Sequence, residues 1–251
     1  MLKVRIKFRK YGVLKFLGHL DVMRFFQKAM RRADIPIAFT SGFSPHMIMS
    51  FAQPLGLGIT SEGEYLDIEL AEPVSSVDAI YRLNQTVTEG IDVVSFRQIH
   101  EDKKSSGMTL VAAAEYLVVP KEAEETSLRE YNSSEPVFPS FFADKIQAFL
   151  AQPSIVVLKK TKRSEKEVDI KPMIYDFHLE TAGICLKLAA GSEANLKPDL
   201  VMETFLTFIK EEGRKLHYHR RELYAKNPQN AGPAHVSLEA LGWEIPSQSE
   251  F

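Results

Sequence analysis

Cysteine occurs once in this chain, as Cys185, and that scarcity excludes whole classes of chemistry. With a single thiol there is no intramolecular disulfide, no thiolate zinc site and no cysteine triplet to hold an iron–sulfur cluster. A chain that folds without disulfides suits a reducing compartment. Long apolar runs are lacking as well. The opening MLKVRIKFRK has no apolar stretch of signal-peptide length, and nothing further along approaches a bilayer span. The expectation is a cytoplasmic protein with no membrane contact. Net charge is nearly absent too, with 31 Lys and Arg against 33 Asp and Glu, which argues against a protein that coats nucleic acid indiscriminately. No P-loop, GxGxxG or nucleophile pattern marks a standard enzyme class, and neither a cofactor nor a metal is expected.

What the chain does have is charge unevenly placed. Between Lys3 and Arg32 lie ten Lys and Arg and one acid, Asp21, whereas acids gather from Glu62 to Glu72 and from Glu101 to Glu135. Leu2, Val4, Ile6 and Phe8 alternate with Lys3, Arg5 and Lys7, which predicts a half-buried strand whose open face is cationic. A helix follows, with Gly18 at its start and Asp21 suited to the dipole of its first turn. Val22, Phe25, Phe26, Ala29, Met30 and Ala33 form its apolar arc; Asp21, Arg24, Lys28, Arg31 and Arg32 recur on the opposite side. Asp34 and Pro36 end it. The turn-rich loop Thr40–His46 leads to strands at Met47–Ala52 and Tyr65–Leu70, a helix at Val77–Val87 and a strand at Ile91–Ile99.

That order, β-α-β-β-α-β, predicts a ferredoxin-like antiparallel sheet with two helices on one side. The polar stretch Glu101–Gly107 reads as a domain boundary. Beyond it come a strand at Met108–Val119, an acidic loop at Lys121–Pro136, a helix at Phe141–Leu150 and a strand at Ile155–Lys160. A charged turn, Thr161–Lys166, precedes VDIKP, and a hairpin turns around Thr181–Gly183. Pro198 opens a helix that Gly213 closes, and Lys215–Tyr224 is a last strand. The expected fold is α+β: tandem ferredoxin-like halves at 1–100 and 108–225, the second with an inserted strand pair, and a loosely attached extension at 226–251 with Trp243 as its candidate docking residue.

FLGHLDVMRFFQKAMRRADIP, SGFSPH, SFAQPLGLG and SEGEYLDIEL, in this order, together with VDIKP and the Arg221–Tyr224 segment, resemble the bacterial radical-SAM-associated domain family, whose function is unknown. The resemblance spans about residues 2–225 and departs at Met47 and Ile48, where the family pattern has a proline and a nearby basic residue. It implies a partner carrying radical SAM and iron–sulfur chemistry, and it implies no activity for this chain.

The residues themselves support two readings. In the first, a non-catalytic accessory protein presents Lys3, Arg5, Lys7, Arg24, Lys28, Arg31 and Arg32, with Ser41, Ser44 and His46 of the loop, to structured RNA or to the radical SAM partner. The bland counterpart is a solvated face of ordinary charges. In the second, an enzyme works on RNA or a small anionic substrate through His19, Asp21 and His46, acting as acid and base or as metal ligands at a helix start. Against it stand a packing role for His19 and a loop hydrogen bond for His46. Asp169 and Lys171 are a possible secondary constellation with Arg220, Arg221 and Tyr224, for which a structural salt bridge is the plainer reading. His217 and His219 read as surface, and Cys185 as core.

Overall fold

The computed structural model describes residues 2–123, 136–160, 165–229 and 232–247, and these form an α+β protein with mostly antiparallel strand pairing and few helices. By internal contacts the chain divides into two compact units, Met1–Ala113 with Arg220–Phe251, and Ala114–His219. In the first unit lie β1 (Leu2–Lys10), α1 (His19–Arg32), β2 (Met49–Phe51), β3 (Thr60–Leu70), α2 (Ser76–Asn84), β4 (Ile91–Gln98) and the one-turn α3 (Gly107–Leu110). Then come β5 (Val111–Pro120), α4 (Phe141–Leu150), β6 (Val156–Lys160), β7 (Glu165–Asp169), β8 (Ile174–Glu180), β9 (Gly183–Ala189) and α5 (Pro198–Phe208). The chain closes with β10 (Leu216–Lys226), β11 (His235–Ser237) and β12 (Trp243–Glu244).

In the first unit β1 pairs antiparallel with both β3 and β4, and β2 pairs antiparallel with β3, so the strands run in the order β4-β1-β3-β2. The period-two pattern of β1 does what it predicts on one side: Val4, Ile6 and Phe8 are buried. Against them lies α1, whose Val22, Phe26, Ala29 and Met30 recur at helical spacing and are buried. The rings of Phe8 and Phe26 meet edge-on at 4.7 Å. Full burial of one such side chain contributes about 1.5–3 kcal/mol. Asp21 in the first turn and Arg31 and Arg32 in the last complement the helix dipole. α2 is capped by Ser75, whose side chain accepts from the Asp78 N–H at 3.2 Å. It ends at Asn84, three residues sooner than expected, because the Asn84 amide turns aside to donate to Val93 O and accept from Val93 N.

The unit boundaries differ from those expected. The polar stretch after β4 folds into the first unit, and Gly107 N donates to Asp67 Oδ2 at 2.6 Å. The final segment is docked by backbone pairing, with Trp243 opposite Gln98 of β4. β11 pairs with the end of β10, and β12 pairs with Arg97 and Gln98 of β4. Just beyond, Ser76 N donates to Ile245 O at 2.9 Å and Ile245 N donates to Ser76 Oγ at 2.8 Å.

In the second unit the strand order is β10-β5-β9-β8, with β8 and β9 antiparallel, and β6 and β7 form a separate antiparallel hairpin. Its core is aromatic: Phe177 and Phe205 pack at 5.1 Å, and Phe149 and Phe205 at 5.5 Å. Pro198 opens α5 where its missing N–H has no intrahelical partner to lose. Of the acidic loop expected at Lys121–Pro136, residues 124–135 lie outside the described residues, as do 161–164 of the charged turn.

Candidate functional site

Antiparallel pairing decides which cations stay available. The register sets Lys3 opposite Glu69, Arg5 opposite Asp67 and Lys7 opposite Tyr65, so the polar side chains of β1 and β3 share one face. That face is not open, contrary to the sequence expectation. Arg5 is 2% exposed; its Nε and Nη2 donate to the two Asp67 carboxylate oxygens at 2.8 and 2.9 Å, and further bonds reach Ser105 O and Leu238 O. Lys7 donates to Glu222 at 2.8 Å and to Glu239 at 3.0 Å. Burial pulls the Lys7 pKa down, but these two carboxylates outweigh it and hold the ammonium above the ordinary lysine value. Glu239 answers in kind: burial raises its pKa, and Lys7 with its neighbours brings it below the usual carboxylate value. Lys3 lies 3.9 Å from Glu69. Lys3, Arg5 and Lys7 are thus internal counter-charges, with Arg5 and Lys7 removed from any binding face, whereas Arg9 further along the strand is exposed.

The cations of α1 are placed differently. Arg24, Lys28, Arg31 and Arg32 are all exposed. Arg24 has only a loose pairing with Asp21, at 3.7 Å, and Arg32 donates to Thr86 O at 2.9 Å. Among the described residues neither Lys28 nor Arg31 forms an ion pair. Leu20, one turn before Arg24 on the same face, is 64% exposed, and Phe16 just ahead of the helix is 66% exposed. Lys15 Nζ sits 5.2 Å from the centre of the Phe16 ring. A stripe of positive charge therefore begins at an apolar, aromatic edge.

The loop carrying Ser41, Ser44 and His46 is exposed throughout, with Phe43 fully in solvent. It is closed at its base, where Thr40 N donates to His46 O at 2.9 Å and His46 N donates to Thr40 Oγ1 at 3.1 Å. The imidazole Nδ1 lies 3.1 Å from that same hydroxyl, so His46 pins the loop. His19 instead packs its ring edge-on against Phe51 at 5.0 Å. Asp21 points into solvent. The ligand atoms of His19, Asp21 and His46 do not all come within 4.8 Å of one another, so the expected trio is not assembled as a metal centre.

Sequence reasoning missed a buried polar group near His19. Lys10, 2% exposed, donates to Leu17 O at 2.8 Å, and burial lowers its pKa despite the pull of Glu64. Glu64 accepts from Arg220 at 2.8 and 2.6 Å, and Arg220 also donates to Gln53 O. Lys10, His19 and Glu64 line a pocket of about 20 Å³ with Phe8 and Phe51, which has room for a single water. The advance signals were slight: Lys10 lies just past the alternating run Leu2–Phe8, and Glu64 just ahead of the strand expected at Tyr65–Leu70.

Of the secondary candidates, Arg220 donates to Glu64 in the first unit; in the second unit Asp169 Oδ1 accepts from the backbone N–H groups of Ile155 and Lys171, and Lys171 Nζ donates to Gln152 O. Arg221 and Tyr224 lie on β10 beyond Arg220, Tyr224 opposite Ser237 of β11. His217 and His219 are buried rather than on the surface. No helix among the described residues is long and apolar enough to cross a membrane.

Residues 3–198 match the sequence model of a bacterial family described as "Uncharacterized protein conserved in bacteria (DUF2344)". No curated protein matches the chain. Since the family match runs from the second residue of β1 to the first residue of α5, well over half of the length, this protein belongs to that family of uncharacterized bacterial proteins.

Proposed function

We propose that the protein is a non-catalytic accessory factor that offers the exposed face of α1 to an acidic surface on a partner protein in the cytoplasm. One observation carries this reading: Arg24, Lys28, Arg31 and Arg32 are left in solvent beside Leu20 and Phe16, while Lys3, Arg5 and Lys7 of β1 face acids of their own unit. Arginine and aromatic groups in one patch are what protein interfaces favour at their energetic centre. The family resemblance supplies the candidate partner, a radical SAM protein. Both units are read here as ferredoxin-like, a reading supported by the orders β4-β1-β3-β2 and β10-β5-β9-β8, which are the same order once β6 and β7 are set aside as an inserted pair.

Structured RNA is the second reading, favoured by the exposed rings of Phe16 and Phe43, which could stack on bases. The enzyme reading through His19, Asp21 and His46 has less to stand on, because His19 packs on Phe51 and His46 pins its loop.

The test is the triple substitution Arg24→Ala, Lys28→Ala, Arg31→Ala. Binding of a purified radical SAM protein from the host, and separately of structured RNA, is measured across salt concentrations. Weakened binding of the protein with unchanged circular dichroism supports the proposal. If RNA is the ligand instead, losing three phosphate contacts flattens the slope of log K against log salt by about 3. Unchanged binding of both would reduce the stripe to solvated surface.

A further inference from the structure

A second group of side chains lies on the β8–β9 hairpin of the second unit. His178 is directly opposite Cys185 in the strand register, and Asp176, two residues before His178, shares its face. One ligand atom from each of Asp176, His178 and Cys185 falls within 4.8 Å of the other two. A tetrahedral zinc ion with bonds of about 2.0–2.3 Å needs its ligand atoms about 3.3–3.8 Å apart, so small side-chain adjustments close the set. The histidine and aspartate are already there, with His178 Nδ1 3.1 Å from Asp176 Oδ2.

A second observation concerns the other ring nitrogen. His178 Nε2 lies 3.2 Å from Glu180 Oε1. Each ring nitrogen of His178 thus faces a carboxylate oxygen at hydrogen-bond distance, Asp176 on one side and Glu180 on the other. A carboxylate holding the far nitrogen of a histidine is the usual support of a metal-bound imidazole. Burial is graded to match. Cys185 is 3% exposed and forms the floor, while the His178 and Asp176 side chains are 43% and 51% exposed at the rim. An ion can arrive from solvent, and the fourth position is left to water.

We propose that Asp176, His178 and Cys185 bind one zinc(II) ion, with Glu180 positioning the imidazole. The mixed sulfur, nitrogen and oxygen set suits a borderline-soft ion and not magnesium or calcium. Binding displaces the thiol proton to solvent, and Lys187, the cross-strand neighbour of Asp176, limits the negative charge that the thiolate adds. Counting cysteines excludes a thiolate zinc site only where every ligand is sulfur; here histidine and aspartate supply the rest. This site is independent of the binding face on α1.

The test uses the full chain without a histidine tag, stripped with a chelator and titrated with cobalt(II). One equivalent is expected to give tetrahedral ligand-field bands and a thiolate-to-cobalt charge-transfer band, which only Cys185 can produce because it is the sole thiol. Zinc should displace the cobalt. Cys185→Ser is expected to abolish the charge-transfer band. Asp176→Asn, at an exposed position that leaves the core intact, should weaken zinc at least tenfold against a chromogenic chelator, and Glu180→Gln should weaken it about 10–100-fold while keeping the band. No charge-transfer band in the wild type, or zinc affinity unmoved by Asp176→Asn, overturns the proposal.

Discussion

Removing Asp67 is the most direct probe of the covered face. In Asp67→Ala, Arg5 keeps its bonds to Ser105 O and Leu238 O but loses both charge-assisted bonds to the carboxylate, and the Gly107 N–H loses its acceptor. A guanidinium 2% exposed cannot recover this loss from water. Deleting one partner of a buried pair costs about 3–5 kcal/mol, because the surviving charge stays desolvated. Urea unfolding followed by circular dichroism reads the change as a lower midpoint with little change in slope. The double variant Arg5→Met, Asp67→Leu should regain most of the loss, since apolar groups of similar volume replace such pairs at small cost. An Asp67→Ala loss below about 1 kcal/mol, the range of solvent-exposed pairs, would refute the argument and restore the open cationic strand face.

Other outcomes follow from neighbouring contacts. Gly107→Ala would place a Cβ 2.8 Å from Ala52 Cβ and 3.3 Å from Asp67 Oδ2, and should cost about 1–3 kcal/mol in the same unfolding assay. For the cluster of Lys7 and Glu239, stability should depend on pH in a defined sense. The depressed Glu239 contributes stability that is complete above its unfolded value and disappears as pH falls through its lower folded value; the raised Lys7 contributes stability that is complete below its unfolded value and disappears as pH rises through its higher folded value. Melting temperatures of wild type and Glu239→Gln should therefore differ most near neutral pH and converge in acid; a gap constant down to strongly acid pH would show that the charge on Glu239 is not what matters.

Much of the fold was legible because β1, α1 and the second half of β3 each carry their apolar residues on one side, and periods of 2 and 3.6 are visible in a single sequence. The start of β3 was not, because Gly63 looks like part of a connection. In the structure that glycine is needed for close approach, since a Cβ there would stand 2.6 Å from Arg221 O. β12 has two residues, too few for any period, and its place depends on pairing with β4, far away in sequence. The error about the strand cations has a more instructive origin. Lys3-Arg5-Lys7 reads as an open cationic face, yet antiparallel pairing of β1 with β3 sets Lys3 against Glu69 and Arg5 against Asp67. The complementarity was present in the sequence, and only the register was missing. The hairpin trio was hidden for the same reason, because His178 and Cys185 are neighbours across a turn and not along a strand.

The contrast between the two sets of cations also decides where an anionic partner can bind. To engage Arg5, a carboxylate or phosphate would have to compete with a buried bidentate pair whose disruption costs several kcal/mol, and would first have to displace the chain segments that supply Ser105 O and Leu238 O. At Arg24 it competes with one contact at 3.7 Å between side chains 72% and 60% exposed, worth no more than about 1 kcal/mol. At Lys28 and Arg31 it displaces only water and small ions. The charge of Lys3, Arg5 and Lys7 is spent inside the unit, and positive charge on α1 can be exchanged for a partner's at little cost. A binding partner should therefore lose affinity when α1 is neutralised and remain indifferent to the pair Arg5→Met, Asp67→Leu.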